Sequence, residues 1–198
     1  DYNLIQMLTE HYNTMNNGKW KGLMSAAPRD LPVFAPNVHT ELPQHPSGGP
    51  CIARNACDYL KLETSNLKPQ PIQMLGHSMQ AVSLPKGGEL VYEFDSPIEG
   101  DAVLRTAMIP TQPSDKGDLR YEVRIDDQTP VVISLKEPYR SEQWKKNVLR
   151  CQALKQTPIR LTKGPHKLYI KALDDHIIVD QWMVDFNKER QFYVIPVK

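Results

Sequence analysis

The sequence predicts a mainly β protein, a two-sheet antiparallel β-sandwich with jelly-roll connections, preceded by one N-terminal helix and a proline-rich linker. Three observations carry this. Beyond residue 50, short runs of alternating apolar and polar residues recur between turn signals. Helical periodicity is confined to the first 15 residues. The stretch Gly164 to Phe186 holds two dense strand patterns around Asp174-Asp175-His176. The predicted organisation is therefore a helix over residues 1–18, a linker over 19–50 and a β-sandwich domain over 51–198.

The first segment places Leu4, Leu8, Tyr12 and Met15 at spacings of three and four, with Ile5 and Met7 widening the stripe. Asn16-Asn17-Gly18 ends it, Gly18 suiting a left-handed C-terminal position. One amphipathic helix cannot bury its own stripe. Leu4, Leu8 and Trp20 are thus predicted interface residues, and the helix reads as the remnant of a helical region that lies upstream.

Residues 19–50 follow neither period and carry six prolines, the composition of a semi-extended linker laid over a surface. Trp20 and Met24 are placed to anchor its start in a groove of the upstream part.

From Cys51 the strand candidates are 51–63, 79–84, 88–95, 102–110, 118–127, 130–136, 146–154 and 158–162. Leu119, Tyr121, Val123 and Ile125 alternate with Arg120, Glu122, Arg124 and Asp126, giving one dry face and one wet. Leu90, Tyr92 and Phe94 repeat this after a glycine turn. In the final stretch Leu168, Ile170 and Ala172 share one parity, and Ile178, Trp182, Val184 and Phe186 share another. The two runs read as a hairpin closing the core.

Composition narrows the function. Lys and Arg number 24 against 23 Asp and Glu, without long runs of one sign, so neither nucleic acid nor an anionic membrane surface is indicated. No apolar span is long enough for membrane insertion. Three cysteines, Cys51, Cys57 and Cys151, include no CxxC pair, so free thiols are expected rather than a zinc cage or a disulfide framework. The chain lacks HExxH, GxSxG and a phosphate-cradling glycine loop. Its six histidines lack ligand spacing, and Asp126-Asp127 and Asp174-Asp175 fall at turns, where Asp bonds the local backbone. No catalytic residue, metal ligand or cofactor is therefore predicted. Acids converging in one cleft would overturn that expectation, because glycoside hydrolysis needs two carboxylates.

Loop aromatics are the better lead. The segment Glu137 to Trp144 is polar, yet it carries Tyr139, Arg140 and Trp144. Aromatic planes stack on apolar sugar faces and Arg bonds hydroxyls or carboxylates, so these three are the predicted carbohydrate-binding residues. The competing reading has Trp144 opening the next strand and packing beneath the loop. A second loop, Pro110 to Gly117, is placed beside the first at one end of the sandwich.

Ordered motifs then acquire a family. The run GKWKGLMSAAPRDLPVF (Gly18 to Phe34) resembles the end of the catalytic region of glycoside hydrolase family 115. The motifs LGHSMQAVSLP, LVYEFDSP, PTQP, YEVRIDDQ, Trp144, GPHKLYIKALDD and VDQWMVDF resemble that family's C-terminal domain, in order. The last two motifs are also similar to those of galactose-binding-like carbohydrate modules. The resemblance implies a parent that removes glucuronic or methylglucuronic acid groups from xylan by inversion, with catalytic acids on an upstream barrel outside these residues. It implies a fragment that is itself no enzyme and packs on that catalytic domain, with a homodimer and a plant glycan such as glucuronoxylan as further partners. A periplasmic or extracellular location follows from the same resemblance.

Overall fold

The computed structural model describes residues 2–22, 48–60, 67–113 and 117–197. Contacts between Cα atoms divide the chain into two units, Asp1–Gln44 and His45–Lys198. The predicted linker is described only over 19–22 and 48–50, and Met24 lies outside the described residues.

In the first unit α1 (Tyr2–Thr14) runs into a 3-10 turn over Met15–Gly18. Asn16 and Asn17 both take positive φ, which Asn tolerates better than other residues with a side chain. The chain therefore folds back: the Gly22 amide donates to Asn13 Oδ1 at 2.9 Å, and the Trp20 ring stacks on Tyr12 at 6.3 Å. Leu4 and Leu8 stand 55% and 43% exposed.

The second unit is a sandwich of two antiparallel sheets. Its strands are β1 (Cys51–Asn55), β2 (Gln70–Gln73), β3 (Gln80–Leu84), β4 (Glu89–Ser96), β5 (Gly100–Met108), β6 (Arg120–Ile125), β7 (Val131–Ser134), β8 (Ala153–Leu161), β9 (Gly164–Ala172) and β10 (Ile177–Asp185). One sheet has the order β2-β3-β10-β5-β8, with β1 also pairing β10; the other has the order β4-β9-β6-β7. Among the described residues of this unit one α-helix, α2 (Glu142–Arg150), precedes β8.

The core lies between the sheets, where alternation demands it. Leu90, Tyr92 and Phe94 from β4 and Tyr121, Val123 and Ile125 from β6 face Leu104, Val184 and Trp182 from the other sheet. Trp182 is wholly buried, with the Tyr92 and Phe94 rings at 5.2 and 5.6 Å. Both core tyrosine hydroxyls are satisfied: Tyr92 donates to the Ala56 carbonyl at 2.8 Å, and the Tyr121 and Thr106 hydroxyls meet at 2.5 Å; the buried Trp182 indole N–H has no partner among the described residues. Burial pushes both tyrosine pKa values up, so neither ionises in the physiological range.

Four expectations are corrected. The final stretch is not a hairpin. β9 pairs with β4 and β6, whereas β10 pairs with β1, β3 and β5. Asp174 accepts from the Arg120 backbone and guanidinium, both at 2.9 Å, and this grip on β6 helps carry the turn from one sheet to the other. Residues 146–150 of the predicted strand 146–154 belong to α2, while 153 and 154 open a single strand that also absorbs 158–161. Ser141 caps α2 by accepting from the Trp144 amide at 3.1 Å, and Cys151 ends it at φ 57°. β2 carries no alternation and went unpredicted. Of the candidate 51–63, the strand covers 51–55 and stops there, because Asn55 and Asp58 form a capping box that starts a 3-10 turn; 61–63 lie outside the described residues.

β10 is buried on both faces, which explains its dense apolar run. Between Val179 and Gln181 its register with β5 shifts, so the core parity changes from Ile177 and Val179 to Trp182 and Val184. On the outer face Ala53, Ala107 and Met183 are covered by Ile195 of the C-terminal tail. Arg105 and Asp185, both buried, approach to 3.4 Å. Arg105 also donates to the Lys188 carbonyl at 3.0 Å, and Arg190 donates to Asp185 at 3.0 Å, which holds the tail down.

Candidate functional site

The residues singled out for carbohydrate binding come together. Glu137, ion-paired with Lys155 of β8 at 2.8 Å, tethers the loop before α2. Arg140 takes positive φ, turning the chain into the Ser141 cap. Tyr139 and Trp144 then meet edge to face, 5.2 Å between centroids, and the Arg140 guanidinium lies 5.2 Å from the Tyr139 ring. Tyr139 is 71% exposed. Trp144 is half-buried in the first turn of the helix, so it neither opens a strand nor vanishes beneath the loop. The arrangement presents one free aromatic face, braced by a second ring, beside a guanidinium.

The second predicted loop approaches this one at its end, where Lys136 Nζ donates to the Gly117 carbonyl at 3.2 Å. Its first half turns toward the β9–β10 connection instead: Thr111 donates to the His176 carbonyl at 2.7 Å. A shallow hollow of about 460 Å³ lies there, lined by Leu84, Thr111, Asp175 and His176 among others.

The other end of α2 is tied into the sandwich. The His77 ring bonds the Arg150 carbonyl at 2.8 Å, and Arg150 lies 5.3 Å from the Tyr193 ring. Burial lowers the Arg150 pKa. Around this junction Leu149 is 81% exposed, and Met74, Met79, Tyr193 and Val194 also face solvent.

A larger cleft, about 1100 Å³, is lined by β1, the end of β4 and the start of β9. Its firmest wall is His166. Nδ1 meets Asp126 Oδ2 at 2.7 Å and Nε2 meets the Thr162 carbonyl at 2.8 Å. Both partners are acceptors, so the doubly protonated ring satisfies both. Burial lowers its pKa, but the Asp126 hydrogen bond, the Thr162 carbonyl and the charges of Asp126 and Asp95 together raise it above the ordinary value. Asp126 also accepts from the Lys167 amide at 2.7 Å, and Lys167 pairs with Glu93 at 3.2 Å.

Acids do meet in this cleft, as Glu93, Asp95 and Asp126. Two of the three are held by cations, leaving Asp95 as the one without a side-chain partner. The buried Asp180 is held by neutral donors instead, the Ser78 hydroxyl at 2.6 Å and the Gln152 amide at 2.5 Å. Among the described residues no group of three or more His, Cys, Asp or Glu is placed to hold a metal ion, and all three cysteines are free thiols. No described helix is long and apolar enough to cross a membrane.

Sequence reading missed the cleft, since Arg54, Asp95, Asp126 and His166 lie on four separate segments. Asp180 did leave a trace: a carboxylate stood on the buried parity of an apolar run.

The glycosyl hydrolase family 115 C-terminal domain model matches residues 53–198. The chain belongs to that family. A solved GH115 4-O-methyl-α-glucuronidase, BtGH115A, described as having specificity for decorated arabinogalactans, is similar at 34% identity and a TM-score of 0.64. The match covers 94% of this chain and 24% of that one, so the GH115 C-terminal chain described here spans about a quarter of that relative's length. A family 35 carbohydrate-binding module from Clostridium thermocellum is similar at 11% identity and a TM-score of 0.50, covering 69% of this chain and 98% of the module. The mosquito-larvicidal Cry4Aa toxin from Bacillus thuringiensis is similar at 10% identity and a TM-score of 0.51, covering 68% of this chain and 23% of the toxin. Likeness at that level shows the shared sandwich, not a shared ligand. The curated proteins offer no significant match.

Proposed function

We propose that this GH115 C-terminal domain is a non-catalytic accessory part of an exported, polysaccharide-degrading α-glucuronidase. It packs against the catalytic part of the same polypeptide and supports subunit assembly or the rim of the active site. The observation that carries this reading is the apolar surface at the end of α2, where Leu149, Met79 and Tyr193 stand exposed around the His77–Arg150 junction. Clustered exposed apolar side chains mark surfaces that another body covers. The catalytic part is the occupant we favour, because three-quarters of the 34%-identical relative lies outside the matched region. Leu4, Leu8 and Trp20 would serve the same purpose on the helical unit. The non-catalytic role is supported by the internal pairing of the cleft carboxylates, which leaves no second free acid opposite Asp95.

The parent's expected substrate is glucuronoxylan, with decorated arabinogalactan, for which the relative is named, as the comparison arm. The expected location is periplasmic or extracellular. Separately expressed catalytic part and this chain should co-elute in size exclusion, and Leu149→Glu should abolish that. Self-association of the chain alone would make a second copy the occupant. Release of glucuronic acid by the chain alone would refute the non-catalytic reading.

A second reading has an observation of its own. The joined Tyr139, Arg140 and Trp144 side chains suit a carbohydrate-binding module that takes plant glycan. Retardation on glucuronoxylan gels, lost in Trp144→Ala, is its signature.

A further inference from the structure

We propose that the cleft between β1 and β4 is a binding site for an acidic sugar, with Arg54 taking the carboxylate of a uronic acid residue and Asp95 accepting from its hydroxyls. The proposal rests on the polysaccharide-directed reading above for the class of ligand, but not on packing against a catalytic part. At about 1100 Å³ the cleft is as large as pockets that hold small ligands, which run to roughly 1000 Å³. It admits a short oligosaccharide.

The chemistry follows from what the protein has already used. Lys167 is paired with Glu93, and His166 with Asp126. Arg190 is paired with Asp185. Two charged side chains remain. Arg54 spends one N–H on the neighbouring Ala53 carbonyl at 2.9 Å, and among the described residues no carboxylate meets its remaining donors. The Asp95 carboxylate acts on His166 only through its charge and accepts no side-chain hydrogen bond among the described residues. An unused guanidinium fork matches a carboxylate in bidentate fashion, and an unused carboxylate accepts two hydroxyl protons. A pyranose bearing both a carboxylate and ring hydroxyls answers both groups at once. A neutral sugar leaves Arg54 unanswered. Between them the exposed Pro165 and Pro196 provide apolar surface for the sugar ring, and the clamp of His166 on Asp126 fixes the wall before ligand arrives, which lowers the ordering cost of binding.

The test is calorimetric titration of the intact 198-residue chain with a glucuronic-acid-bearing xylo-oligosaccharide and with the same xylo-oligosaccharide lacking the acid. The acid-bearing ligand should bind at least tenfold more tightly, and the preference should shrink as salt is raised. Arg54→Gln should erase the preference, and Arg54→Lys should restore only part of it. Chemical-shift changes should centre on the amides of Phe94 and His166. Arg54 is exposed, so its variants should keep the fold, verified by an unchanged melting temperature. Equal binding of the two ligands overturns the proposal. So does absence of binding, or binding lost in Trp144→Ala but kept in Arg54→Gln. None of these outcomes touches the co-elution experiment, which tests the accessory role independently.

Discussion

Replacing Asp180 by Asn changes one atom in a wholly buried carboxylate and should be among the costliest conservative substitutions in the sandwich. Oδ1 accepts the Ser78 amide at 3.1 Å and the Ser78 hydroxyl at 2.6 Å. Oδ2 accepts the His77 amide at 2.9 Å and the Gln152 side chain at 2.5 Å. At Oδ2 an Asn NH2 group faces two donors, the His77 amide and the Gln152 amide; at Oδ1 it faces the Ser78 amide and a hydroxyl that must turn from donor to acceptor. Hydrogen bonds to a charged group contribute about 1.5–3 kcal/mol each, so losing one or two costs about 1.5–6 kcal/mol. The uncharged amide is cheaper to bury, which puts the expectation near 3 kcal/mol, a large share of a typical domain stability of about 5–15 kcal/mol. The loop cannot withdraw to make room, because Gly76, at φ 77°, packs so closely that a Cβ there would collide with this carboxylate. Guanidinium unfolding followed by the fluorescence of buried Trp182 is the assay, with exposed Asp175→Asn as the control. Hydrogen exchange should quicken at residues 76–79 and in α2, since His77 bonds the Arg150 carbonyl and Gln152 follows that helix. A midpoint shift worth less than about 1 kcal/mol, or one matched by the control, would refute the reasoning.

Two further outcomes follow from the same physics. His166 holds a raised pKa in the folded state, so its contribution is fully present below its ordinary value of about 6.5 and is lost as pH rises through the folded pKa. His166→Gln should therefore lose more stability at pH 5.5 than at pH 8.5 relative to the unaltered chain; an equal loss at both would discount the ring's charge. Ile195→Ala should cost about 2 kcal/mol, the lower end of the range for buried aliphatic truncations, because Ile195 seals Ala53, Ala107 and Met183 at the edge of the sandwich. A thermal melt unchanged within error would mean the tail is not part of the folded unit.

The alternation of Leu90, Tyr92 and Phe94, and of Tyr121, Val123 and Ile125, was enough to forecast two layers of antiparallel strands, because a period of two leaves one face per strand to bury. The joint order of motifs from Gly18 to Phe186 likewise pointed to the family, which the stretch Gly164 to Phe186 alone would not have done, because its two motifs are shared with galactose-binding-like modules. The group at the start of α2 was legible as a candidate, since Tyr139, Arg140 and Trp144 lie within six residues. The helix itself was not, because the apolar residues Trp144, Val148 and Leu149 fit a short strand as readily, and only the Ser141 cap and the left-handed Cys151 decide between them. β2 left no pattern, since all four of its residues are exposed.

Pairing was beyond the sequence altogether. β9 and β10 look like a hairpin because they are adjacent in the chain, yet their hydrogen bonds go to strands as far away as the Cys51–Asp185 pairing, 134 residues apart. Asp180 is a broken parity in one dimension and the centre of a four-bond network in three. Arg54 and Asp95 sit on strands of different sheets, and their meeting across one cleft depends on closure of the sandwich. Local periodicity is written residue by residue and survives in the sequence. Which edges face each other, and which charges remain unspent once the pairs are made, exists only after the chain has closed on itself.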